Sequence, residues 1–108
     1  MTLQLFRDED GCPRAWGDGP GDLLAGWLES DVQGSPEVAR ELLDLVDRIA
    51  SGEMDRWEGT GNAYTLTLTP EGATIEAEWE EDAPSRRASL SEVREALAGW
   101  LDLIQSNS

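Results

Sequence analysis

The 108 residues predict an α+β domain of two layers, a small antiparallel sheet of hairpins covered on one face by two amphipathic helices. Three observations lead there. Apolar residues recur at three- and four-residue spacing over residues 36–50 and again over 90–104. Strict apolar/polar alternation runs through 64–69 and 73–79 on either side of Pro70-Glu71-Gly72. A looser alternation at 3–6 is followed by Asp10-Gly11, a hairpin-turn signal.

In chain order, Leu3 and Leu5 oppose Gln4 and Phe6, and Pro13 to Trp16 can return as the second strand. Gly17 to Asp22 reads as loop. Leu23 to Leu28 fits a short helix through Leu23/Trp27 and Leu24/Leu28, but its brevity and Gly26 favour a buried strand within 23–32. Ser35 is a good N-cap, Pro36 suits the first helical position, and Gly52 suits the residue after the last turn. Between them Val38, Leu42, Leu45, Val46 and Ile49 form one stripe. Gly59 to Gly61 reads as a loop. Tyr64, Leu66 and Leu68 then share one strand face, as do Ala73, Ile75, Ala77 and Trp79 on the next, with threonine and glutamate opposite. Residues 80–85 break that pattern. Ser89 and Glu92 have capping-box spacing before a helix with the stripe Val93, Leu97, Trp100, Leu101 and Ile104, and Ser106 to Ser108 should fray.

Length allows a single domain with its own core. The chain has no His, one Cys, and eight cationic side chains that are all Arg. Imidazole-dependent nucleophilic catalysis is therefore excluded within the chain, and Cys12 cannot close an intrachain disulfide. Cys12 is expected to be a semi-buried filler. The N-terminal residues lack the pattern of a secretory signal, and no apolar run reaches the ~18 residues of a membrane span. A cytoplasmic, bacterial protein is the expectation.

The formal charge is −15. Such a surface repels nucleic acid and anionic membranes, and it attracts basic proteins by salt-sensitive steering. Carboxylates concentrate at Asp8, Glu9 and Asp10 on the first hairpin tip. A second group, Glu76, Glu78, Glu80, Glu81 and Asp82, follows the polar strand face. Asp8-Glu9-Asp10-Gly11 lacks the later ligands of a calcium loop, so no metal is expected. Glu76 and Glu78, about 7 Å apart along one face, could resemble a glycosidase pair, but an open strand face supplies no cleft. They are better placed to meet Arg or Lys on another protein. No catalytic residue and no cofactor are predicted. Of the five Trp, Trp79 and Trp100 fall in phase with the core, and Trp16, Trp27 and Trp57 are expected to close its edges. Trp57 and Tyr64 are the aromatic anchors expected at a partner interface.

Leu5 to Gly11 (Leu-Phe-Arg-Asp-x-x-Gly), Arg56 to Leu66 (Arg-Trp-Glu-Gly-x-Gly-Asn-Ala-Tyr-Thr-Leu), an acidic strand and a closing Ser-Leu-Ser-x-Val helix resemble the YacL-like proteins. These are small acidic bacterial proteins of unassigned function. That family tends to carry His near position 62, where this chain has Asn62. In type rather than motif, the profile is also similar to bacterial toxin immunity proteins. That resemblance implies a non-catalytic inhibitor of a basic partner, a cognate toxin domain. The other expectation is a housekeeping protein, homodimeric or not, whose acidic surface serves solubility.

Overall fold

The computed structural model describes residues 2–18, 21–61, 63–78 and 85–105, and the expectations for Asn62, Trp79, Glu80, Glu81, Asp82 and the tail 106–108 lie outside them. The element order is β1 (Thr2–Arg7), β2 (Pro13–Asp18), α1 (Gly21–Trp27), a π-helical turn (Leu28–Val32), α2 (Pro36–Ala50), β3 (Trp57–Thr60), β4 (Tyr64–Thr69), β5 (Gly72–Ala77), β6 (Ser85–Ala88) and α3 (Leu90–Gln105). The α+β class is as expected, with three helices rather than two.

The strands form two antiparallel sheets, β1-β2 and β3-β4-β5-β6. In the larger sheet Tyr64 pairs Ala77, Leu66 pairs Ile75 and Leu68 pairs Ala73, so one apolar face is continuous across β4 and β5. Helices α1, α2 and α3 pack against that face, and the β1-β2 hairpin packs against α1 and α3. Helices α1 and α3 thus contact both the larger sheet and the hairpin. Leu24, Leu28, Ile49, Leu66, Leu68, Ile75, Leu97 and Trp100 are fully buried where the layers meet.

Local chemistry sets the helix ends. The Ser35 hydroxyl accepts the Val38 N–H at 3.3 Å, and Gly52, at φ 84°, closes α2. At α3 the capping box is complete: Ser89 Oγ accepts the Glu92 N–H at 3.0 Å, and Glu92 Oε1 accepts the Ser89 N–H at 2.9 Å. The opposite end of α3 is met by Arg7, whose guanidinium donates to the Leu103 carbonyl.

Residues 23–32 are helical, not strand. Gly26 is a poor helix former, but an added Cβ there would run into the Tyr64 hydroxyl, so close packing on β4 accounts for it. The π-helical turn ends with the Gln33 N–H donating to the Leu28 carbonyl at 2.8 Å, and Gln33 sits at φ 56°. The buried Trp100 indole donates to the Gln33 carbonyl at 2.6 Å. Two further differences concern the sheet. The expected loop at 59–61 begins inside β3, and Ser85 to Ala88 form β6, whose own residues carry no apolar alternation. Cys12 is exposed rather than semi-buried because it belongs to the hairpin tip. Trp16 is 51% exposed rather than closing the core, since it lies on the outer face of the hairpin opposite Gln4.

Candidate functional site

The described members of the two predicted groups of carboxylates lie on different sheets, Asp8, Glu9 and Asp10 at the β1-β2 tip and Glu76 and Glu78 at β5 and just beyond it. At the hairpin tip, Asp8 Oδ1 accepts the N–H groups of Asp10 and Cys12 at 2.9 and 3.0 Å, so this carboxylate shapes the turn. Glu9 and Asp10 are exposed beside it, and Arg7 reaches the Gly11 carbonyl at 2.7 Å. On the larger sheet's outer face, Glu76 sits opposite Thr65 and is exposed. Glu78 is exposed too and accepts a hydrogen bond from the Thr65 hydroxyl, which shares a 2.8 Å contact with Thr60. The face is a floor of threonines with Glu58, Glu76 and Glu78 around it. It also carries cations, since Arg87 lies opposite Thr74 and Arg56 pairs Glu58 at 2.8 Å.

Tyr64 is no surface anchor. It is 8% exposed, packed on Gly26, and part of the core, because it occupies the inward register beside Leu66 and Leu68. Burial is the main cause that raises its phenol above the ordinary value of 10.0, and the nearby carboxylates of Asp31, Asp22 and Glu29 add to it.

Trp57 does border a recess. A cleft of about 240 Å³ opens between the β3 edge, the π-helical turn and α2. Trp27, Trp57 and Leu66 form its floor, and Val38, Leu42 and Leu45 of α2 form the roof. Two glycines allow these surfaces to meet. An added Cβ at Gly59 would enter the Trp57 ring, which shows that the indole lies flat along its own strand. At Gly61 it would come within 2.7 Å of the Asp31 carboxylate. Asp31 lines the cleft with both oxygens engaged, Oδ1 accepting the Ala63 N–H at 3.0 Å and Oδ2 the Tyr64 N–H at 3.1 Å. Glu41, exposed on α2, supplies a second carboxylate at the rim.

This recess suits an apolar group that carries a cation, held by two indoles and a carboxylate rim. Sequence reasoning named Trp57 but not Asp31 or Glu41, and took Gly59 to Gly61 only as a turn. No His, Cys, Asp and Glu cluster among the described residues has metal-binding geometry. No helix among them is long and apolar enough to cross a membrane. Phe6 and Trp16, 46% and 51% exposed, add an aromatic patch on the outer face of the hairpin that periodicity did not single out.

Residues 1–92 match UPF0231, an uncharacterised protein family. The UPF0231 protein of Shewanella sp. (strain ANA-3) is 31% identical over 101 residues, covering 78% of this chain and 80% of that protein. A UPF0231 protein of Shewanella oneidensis has the same identity and coverage, and that of Shewanella sp. (strain MR-4) is 30% identical with equal coverage. No solved structure matches the chain. With a matched region that runs from the first hairpin into α3, the chain is a member of the UPF0231 family.

Proposed function

We propose that this is a non-catalytic binding protein whose partner is a basic protein, in its most specific form a bacterial toxin domain neutralised by a cognate immunity protein. The observation that carries the reading is the net charge of −15 on a chain that has neither His nor Lys. Long-range attraction would speed encounter with a cationic surface and reject nucleic acid and like-charged proteins. Short-range hold would come from apolar burial at the Trp57 cleft inside its carboxylate rim. The toxin-domain form adds the general profile of a small, single-domain, acidic chain.

The test is affinity capture with the tagged protein from the source lysate at low and then raised salt, followed by titration of the purified partner. One stoichiometric basic protein, released by salt and inhibited on rebinding, is the expected outcome. A bare monomer or homodimer at low salt, with no basic protein retained, would leave the acidic surface a solubilising role only.

A further inference from the structure

We propose that the open edge of β3 accepts an extended basic segment of the partner as a fifth strand, with one inward apolar side chain seated in the Trp57 cleft. The cationic character of that segment rests on the function proposed above; the strand geometry does not. β3 is an edge of its sheet. The Gly61 N–H donates to the Tyr64 carbonyl at 2.9 Å, which fixes the alternation of the ladder. Trp57, Gly59 and Gly61 therefore turn their backbone groups to β4, and Glu58 and Thr60 turn theirs outward. Both outward residues are exposed, and no turn or cap hydrogen bond among the described residues reaches their backbone.

Helix α2 leaves apolar surface partly uncovered at the cleft beside β3. Val38 and Leu45 remain half-buried on α2 above the cleft. A strand added about 4.8 Å beyond β3 would run under them. Its inward side chain, opposite Gly59, would pack on the Trp57 ring that covers that glycine. Charge selects the occupant. Glu58 stands on the edge strand beside Arg56, which pairs it at 2.8 Å, and Glu41 and the backbone-bonded Asp31 line the recess. A second copy of the chain would bring these carboxylates against their own kind on top of −15 for each protein, whereas a basic segment would meet them with Arg or Lys.

The probe is the acetylated peptide Arg-Val-Arg-Leu-Arg-Val, titrated at low salt by fluorescence anisotropy and by amide hydrogen exchange of the full chain. Binding should slow exchange at the Glu58 and Thr60 amides. Methylating alternate peptide amides, which leaves charge and side chains in place, should weaken binding about tenfold or more through lost edge hydrogen bonds. Glu58→Pro removes one outward N–H without touching the ladder and should weaken binding relative to Glu58→Gln, the charge control. Equal affinity for the methylated peptide, or protection elsewhere than at Glu58 and Thr60, would overturn strand addition and leave the basic-partner reading standing. No binding of the Arg peptide would overturn the proposal as well. A counterpart with Glu for Arg that binds equally well would instead remove the basic-partner reading, while edge protection would still report the added strand.

Discussion

Asp31 holds Tyr64 by its backbone and bears on its phenol through charge. The carboxylate accepts the Tyr64 N–H at 3.1 Å and, with its other oxygen, the Ala63 N–H at 3.0 Å. One side chain from the π-helical turn thereby fixes the start of β4. Asp31→Asn should destabilise the protein by about 1–3 kcal/mol, since an amide N–H would face a backbone N–H in place of one acceptor. Urea unfolding of the two proteins measures the difference.

Tyr64 gives a pH signature of its own. Its phenol is raised above 10.0 mainly by burial, so the folded protein holds this proton after the unfolded chain has released it. The sign follows: the stability linked to Tyr64 is complete below pH 10.0 and is lost as pH rises through the folded value. Because Tyr64 is the single tyrosine, tyrosinate absorbance reports its titration without interference from another phenol. That titration should lie above the one in denaturant, and Tyr64→Phe should flatten the alkaline fall in stability.

The capping box at α3 should respond to acid in the opposite sense. Hydrogen bonds from Ser89 hold the Glu92 carboxyl below its ordinary 4.5, so its contribution is present above that value and disappears as pH falls through the folded one. Glu92→Ala removes the titrating acceptor of the Ser89 N–H and should cost about 1 kcal/mol at neutral pH. Thermal unfolding at neutral and acidic pH would show the penalty shrinking in acid.

Trp16 and Trp100 should behave as opposites. Trp100 is fully buried and its indole is hydrogen-bonded to Gln33, so Trp100→Ala should cost about 3–5 kcal/mol. Trp16 lies on the outer hairpin face, and Trp16→Ala should change stability by no more than about 0.5 kcal/mol. Chemical denaturation of both variants separates them.

Where local chemistry decides, the sequence was legible. Ser35, Pro36 and Gly52 mark α2 unaided, and the alternation through 64–69 and 73–77 predicts which side of β4 and β5 is buried. The same alternation puts Tyr64 on the apolar side, so its burial was legible and only its assignment to an interface was at odds with it. Residues 23–32 were not legible. The reason for Gly26 lies in Tyr64, thirty-eight positions away, and a π-helical turn has no periodic signature of its own. β6 is polar in sequence and owes its conformation to pairing with β5. The cleft was hidden because α1, α2 and β3 each contribute only part of it.

The bond from Arg7 to Leu103 spans 96 positions of chain. The β1-β2 hairpin therefore takes part of its seat from a helix that follows it far along the chain, beside the support it has from α1. Until α3 docks, the Leu3 and Leu5 side of the hairpin lacks part of its cover, a window for chaperones or for premature pairing. Loosening α3 should thus unseat part of a hairpin that is remote from it in sequence, and proteolysis near the hairpin would report the change.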